Sequence, residues 1–168
     1  MLAQASAPAA LHRPLTRIHG AATLDGGDVL VSGRRLYVGL SSRTNREAIE
    51  QMDLAVRPLG YVVIPVRFGG CLHLKSGVTL VADGSLLLNP AWVDSDAFVG
   101  HQAINVDPGE PHAANALRVG DTVIHPAHFP LTRARLEARG LRVAPVAIAE
   151  LAKAEAGVTC CSLLLSVD

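Results

Sequence analysis

The sequence predicts an α/β domain assembled from a repeated β-β-α-β unit, and three observations carry that prediction. First, a pair of apolar runs hinged at a glycine occurs three times. DVLVSGRRLYVG (Asp28 to Gly39) is hinged at Gly33, VTLVADGSLLLNP (Val78 to Pro90) at Asp83-Gly84, and NALRVGDTVIHP (Asn115 to Pro126) at Gly120-Asp121. Turn dipeptides of this kind between runs rich in Val and Leu are strong hairpin signals. Second, each hairpin is followed by a helical or loop-like stretch and then by another apolar strand. Third, 49% apolar against 18% charged residues in 168 is enough to build one hydrophobic core and argues against disorder.

Taken in order, residues 1–22 form a weakly defined N-terminal segment and 23–168 the folded domain. The Ala-rich start, MLAQASAPAALHRP, lacks a basic end followed by a long apolar core and does not read as a signal peptide. After the first hairpin comes NREAIEQMDLAVRPLG, a helix with Asn45 as N-cap, Glu47 and Glu50 early, and Pro58 and Gly60 closing it. The strand Tyr61 to Val66 follows. The middle unit has a weaker helical pattern around Ala91 to Phe98 and a strand from Ala103 to Val106. The third has a short helix, Leu131 to Arg139, ended by Gly140, and a strand from Leu141 to Val146. Repetition of one unit implies that each buries a face against the next. A last apolar run, Thr159 to Val167, predicts one more strand, with no hairpin partner left for it.

Composition also excludes function classes. Fifteen basic and fifteen acidic residues give zero formal net charge, and no basic stripe is interleaved with aromatics, so nucleic acid is not an expected partner. No apolar run approaches the roughly 18 residues that span a bilayer, so no membrane partner is expected either. Three cysteines, Cys71, Cys160 and Cys161, two of them adjacent, do not make a disulfide framework; a reducing cytoplasm fits better.

Four short segments carry chemistry: LDGGDV (Leu24 to Val29), GLSSRTN (Gly39 to Asn45), LHLKS (Leu72 to Ser76) and GVTCCS (Gly157 to Ser162). Each alone has an ordinary structural explanation: an Asp-Gly turn, an exposed Arg, a core His, a buried Cys. Together they supply a Cys, a His and a carboxylate, the recurring set for thiol nucleophilic catalysis. A thiol of pKa ~8.5 must be activated by a neighbouring cation, and the His must pass a proton to the leaving group and then activate water. Metal binding competes for the same residues. Adjacent cysteines lack the C-x-x-C spacing of a structural zinc site, so no metal and no cofactor are expected.

In this order, TLDGGDVL, GLSSRTN, LHLKS and TCCS resemble the dimethylarginine dimethylaminohydrolase branch of the guanidino-modifying (pentein) superfamily, from about Thr23 to Leu165. The resemblance implies a five-fold β/α propeller of ββαβ units, of which this chain would hold about three. It also implies hydrolysis of Nω-methylated arginine to citrulline and a methylamine through a covalent thiouronium on cysteine. By motif position, Cys160 is expected as nucleophile, His73 as acid/base, Asp25 as its acidic partner, Arg43 as the binder of the substrate α-carboxylate and Ala154 as a backbone carbonyl contact. Arginine deiminases and amidinotransferases in the superfamily carry Asp two positions after this His. Lys75 stands there and favours the dimethylarginine branch over an arginine deiminase-like activity. Family members are considerably longer, so the expectation is an incomplete propeller: a piece of a full enzyme, or a half-enzyme that assembles as a homo-oligomer or with a complementing chain carrying the missing units, with which the last strand would pair. A non-catalytic propeller fragment is the reading from a different class.

Overall fold

The computed structural model describes residues 15–154 and 156–164. Among them nine strands form three separate three-stranded sheets of identical topology. The first sheet holds β1 (Val29–Ser32), β2 (Arg35–Leu40) and β3 (Val62–Arg67); the second β4 (Val78–Ala82), β5 (Ser85–Leu88) and β6 (Gln102–Asn105); the third β7 (Leu117–Val119), β8 (Thr122–Pro126) and β9 (Arg142–Val146). In each, the hairpin pair is antiparallel and the returning third strand runs parallel to the hairpin's second strand. The expected repeat is therefore present three times. The turns fall at Gly33, Gly84 and Gly120, all with positive φ, the region where a Cβ is strained.

The middle strand of each sheet explains the continuous apolar runs. Having a partner on both edges, β2 buries Leu36, Tyr37, Val38 and Gly39 in succession, and β5 buries Leu86, Leu87 and Leu88. Strands covered on both faces read as unbroken apolar stretches rather than as alternation. The outer strands β3 and β9 each carry a proline, Pro65 and Pro145. Proline lacks the amide that a second neighbour would need, so it is confined to the edge.

Connections vary more than the strands. α1 (Arg46–Val56) is capped as expected: the Asn45 side chain accepts from the Ala48 amide, and Ala48 and Ile49 are buried against the first sheet. The middle crossover contains only a 3-10 turn, Ser95–Phe98, where a weak helix was expected. The third contains α3 (Pro130–Glu137), entered through a proline and lacking a local side-chain cap. Its cap comes from afar: the Glu110 carboxylate accepts from the amides of Leu131 (3.0 Å) and Thr132 (2.7 Å). A short unpredicted helix, α2 (Leu74–Gly77), leads into β4.

The sheets join through their first strands, with β4 between β1 and β7. Leu30, Tyr37, Val78, Leu86 and Phe98 form the core between the first two sheets. Val81, Leu87, Ile104, Val123 and Leu136 form the core between the second and third. The expected last strand is a correction. Residues 158–161 form a turn, held by local bonds such as Cys160 N–H to Gly157 C=O. A Val-Thr-Cys-Cys run has β propensity but finds no strand partner here, and unpaired backbone turns on itself. Leu165 to Val167, the rest of that predicted strand, lie outside the described residues.

His125 in β8 gives a pH-dependent test of this packing. It is fully buried; Nε2 faces the Ala113 carbonyl at 3.0 Å, while Nδ1 has no partner among the described residues. Burial holds its pKa below the ordinary imidazole value, against the smaller opposing effect of the Ala113 contact. The unfolded chain therefore takes up a proton at pH ~6.5 while the folded chain resists it. Stability is full above that pH and falls as the pH drops below it. Urea midpoints measured between about pH 7 and pH 5 should decline, and the slope should flatten in His125→Phe. An equal slope in that variant would count against a buried neutral His125.

Candidate active site

The site is assembled around a carboxylate that the motif reading passed over. Asp28, the second acid of LDGGDV, is fully buried. Its Oδ2 accepts from the hydroxyls of Ser41 (2.7 Å) and Thr44 (2.7 Å), and its Oδ1 from the Leu74 amide (3.0 Å). One side chain thus ties together three of the four motif segments. A buried carboxylate is tolerable only when its lone pairs are satisfied in this way.

Around that knot three of the expected site residues meet. Asp25 caps a 3-10 turn (Gly26–Asp28), accepting from the Gly27 amide at 2.8 Å, and its own amide donates to Thr44 Oγ1 at 3.0 Å. Its Oδ2 lies 3.2 Å from His73 Nε2 and 3.8 Å from Arg43 Nη1. The His73–Asp25 approach is an ion-pair distance and not a directed hydrogen bond: Nε2 is buried and its N–H direction misses the oxygen. The Asp25 carboxyl is held below the usual carboxylate range, chiefly by the Gly27 N–H, with His73 and Arg43 adding to it and burial opposing.

Close approach fixes the imidazole's place. A Cβ at Gly27 would stand 2.6 Å from His73 Cγ, closer than side chains pack, so the ring lies directly on the glycine backbone. His73 itself is extended and precedes the first turn of α2, whose start is fixed by the Leu74–Asp28 bond. Arg43 is half-exposed at the loop between β2 and α1, free to reach an anion as well as Asp25.

Cys160 and Ala154 come from the last described stretch. Cys160 sits in the 158–161 turn with its side chain exposed, and its thiol has Thr159 Oγ1 at 4.0 Å as a polar neighbour. No hydrogen bond links it to His73. The turn is nonetheless tied to the His73 segment, because the Asn115 side chain bonds both Thr159 and the Lys75 carbonyl. Ala154 lies in the turn after α4 (Ala149–Ala152), its amide donating to Leu151 C=O at 3.0 Å. Alternate facing along a strand would turn Cys160 into the pocket and bury Cys161 beneath the sheet; in this turn Cys161 is exposed as well. Cys71 is the protected thiol. Half-buried, it donates to the His73 carbonyl at 3.3 Å, and burial, then the Asp28 charge, pushes its pKa up to about 11.

An open cavity of about 430 Å³ adjoins these segments, lined by Cys71, Ser76, His112, Asn115, His128 and Gly157 among others. It is the size of a small-molecule site. Asp25, His73 and Cys160 do not line it, so the residues that carry chemistry, and not this cavity, define the candidate site. No group of three or more metal-binding side chains occurs among the described residues.

Asp28→Ala would leave two hydroxyls and a buried amide facing a void. Bonds to a buried charge are each worth about 1.5–3 kcal/mol, so the loss should be about 3 kcal/mol or more in urea unfolding. A variant within 1 kcal/mol of the parent, a small change on this scale, would show that the knot contributes little. Iodoacetamide at neutral pH should label Cys71 last of the three cysteines; early labelling of Cys71 would contradict its protected environment.

No protein-family model matches the chain. Curated relatives do. The N(G),N(G)-dimethylarginine dimethylaminohydrolase of Pseudomonas aeruginosa is 35% identical over 147 residues, 88% of this chain and 58% of the relative. That of Streptomyces coelicolor is 37% identical over 143 residues, 85% of this chain and 55% of the relative. Among solved structures, a cysteine-to-serine mutant of the Pseudomonas aeruginosa enzyme complexed with citrulline superposes with a TM-score of 0.80 at 33% identity, covering 86% of this chain and 56% of that one. The inosamine-phosphate amidinotransferase of Streptomyces griseus, at 22% identity and a TM-score of 0.72, shares the fold. The chain is similar to dimethylarginine dimethylaminohydrolases over most of its own length, and it spans a little over half the length of the curated relatives it matches.

Proposed function

We propose that this chain carries the chemical half of an Nω-methylarginine hydrolase, converting asymmetric dimethylarginine or monomethylarginine to citrulline and the corresponding methylamine. The observation that carries the reading is the convergence of Asp25, His73 and Arg43 around one buried carboxylate, at the motif positions where the family resemblance expects them. On this reading the three ββαβ sheets are consecutive blades of a five-fold β/α propeller. The remaining blades, and further groups gripping the guanidinium, correspond to the part of the relatives' length that this chain does not cover.

In the proposed reaction the Cys160 thiolate attacks the guanidinium carbon, forming a C–S bond and a tetrahedral centre. His73, as imidazolium, gives its proton to the departing methylamine, whose C–N bond breaks to leave a cysteine-bound thiouronium. His73, now neutral, takes a proton from water; the hydroxide adds to the same carbon, the C–S bond breaks, and citrulline departs as the thiolate re-forms and the hydroxyl proton passes to solvent. Asp25 stabilises the cationic imidazole. Arg43 takes the substrate α-carboxylate in a bidentate pair, and the Ala154 carbonyl contacts the substrate from the backbone. Lys75 leaves no second carboxylate next to His73, which supports a methylated substrate over the arginine deiminase-like alternative. The three cysteines are all free, which suits a reducing, cytoplasmic setting.

The test is citrulline release from asymmetric dimethylarginine, by the 168-residue chain alone and with an added polypeptide covering the rest of the relatives' length. Cys160→Ser should abolish it under whichever condition supports it, and Cys161→Ser should leave it nearly intact. Asp25→Asn should lower kcat and weaken the dependence on protonated His73 in the pH–rate profile. Full activity in Cys160→Ser would sink the assignment. No citrulline under either condition, with Cys160 alkylating no faster than a free thiol, would favour a non-catalytic module.

A further inference from the structure

Among the described residues, one polar side chain carries the hydrogen bonds from the turn bearing Cys160 to the three sheets and their connections. Within that turn, Cys160 N–H bonds Gly157 C=O and Ser162 Oγ bonds Val158 C=O, so these contacts are local. Val158 supplies a buried apolar anchor. Among the described residues, every hydrogen bond from residues 156–164 to the three sheets and their connections before residue 148 runs through Asn115. Its Nδ2 donates to Thr159 Oγ1 (2.8 Å) and to the Lys75 carbonyl (2.9 Å), and its Oδ1 accepts from the Thr159 amide (3.2 Å). Both amide hydrogens are used, one on each side of the junction. Thr159 is the residue before Cys160, and Lys75 is two residues after His73.

The anchor is itself rigid. Asn115 is buried, and the residues on either side of it are pinned to the second sheet by Thr79, whose hydroxyl donates to Ala114 C=O (2.6 Å) and accepts from the Ala116 amide (3.2 Å). The turn also closes directly onto the Asn115 amide. A Cβ at Gly157 would lie 2.3 Å from Asn115 Oδ1, so the approach is open to glycine alone. Bulk, hydrogen bonds and backbone thus register two segments that lie far apart in the chain.

We propose that Asn115 is a positioning residue that sets where the Cys160 thiol stands relative to His73. The proposal rests on Cys160 being the nucleophile and His73 its acid/base. Asparagine suits the task because one planar group offers donors and an acceptor at fixed angles. Held by two bonds to Thr159, the turn cannot slide along its own backbone without breaking one of them. Reactivity is steep in such displacements, a shift of about 1 Å being enough to cost on the order of a hundredfold in rate.

The test reads the thiol directly and needs no turnover. Rates of iodoacetamide alkylation at Cys160 and Cys161 are measured separately by mass mapping, from about pH 6 to pH 9, the range in which activated and ordinary thiols differ. In Asn115→Ala, the rate profile of Cys160 should differ from the parent's across this range, with Cys161 unchanged. Gly157→Ala should reproduce that result through collision with Asn115. Gly157 directly precedes the 158–161 turn, is only partly buried and lies outside the left-handed φ region, so it keeps the test open if Asn115→Ala fails to fold. Thr159→Ser retains the hydroxyl and the amide and should behave as the parent. A Cys160 profile identical to the parent's in Gly157→Ala, or in a folded Asn115→Ala, overturns the positioning role whether or not the chain makes citrulline. The hydrolase reading fails by a different result, a Cys160→Ser variant that still releases citrulline.

Discussion

The arrangement of the candidate site depends on one buried carboxylate. Asp28 sits where water cannot solvate it, and it is compensated by two hydroxyls and a backbone amide drawn from two other segments. Uncompensated burial of such a charge would cost several kcal/mol, so the protein folds with all three donors in place or destabilises the knot outright. The geometry of Asp25, Arg43 and His73 follows. The 3-10 turn that ends at Asp28 begins at the Asp25 cap, Ser41 and Thr44 bracket Arg43, and Leu74 follows His73 directly.

A division of labour runs through the molecule. Apolar side chains decide which surfaces of the three sheets meet, since Leu, Val, Phe and Tyr fill both inter-sheet cores. Hydrophobic burial is non-directional and fixes no loop to better than its own tolerance. Directional accuracy comes from a few buried polar groups with every bond made: Asp28 at the first sheet, Asn115 between the His73 and Cys160 segments, and Glu110 at the start of α3. Each joins stretches remote in sequence, and each lies outside the regular strands. Satisfied buried networks of this type specify one structure because any slippage leaves a polar group unpaired.

Thiol placement follows the same logic. Cys71 is surrounded by protein and by the Asp28 charge, which suppresses ionisation, whereas Cys160 and Cys161 are carried on an exposed turn. Burial therefore separates an inert thiol from two accessible ones. Exposure alone does not distinguish the adjacent pair, and what singles out Cys160 is its place next to the residue that Asn115 grips.

The sequence by itself determined the repeat. Glycine-hinged apolar hairpins, edge prolines and the Asn45 cap are encoded within a few residues of one another, and local propensity together with burial on both faces suffices to produce them. It also marked Asp25, Arg43, His73 and Cys160, because those residue types stand in short motifs. The tertiary structure alone decided the rest. Thr159 to Cys161 have the composition of a strand, but a strand exists only where another backbone pairs with it, and among the described residues none does, so the segment turns. The middle crossover is a 3-10 turn in place of the expected helix, and it still buries Val93 and Phe98 in the core of the first two sheets. Asp28 looked like one more turn residue and Asn115 like the start of a hairpin, since nothing local records that their partners lie 13 to 46 and 40 to 44 residues away. Long-range hydrogen bonds between side chains and distant backbone have no period and no fixed spacing, and they become visible only when the chain has closed on itself.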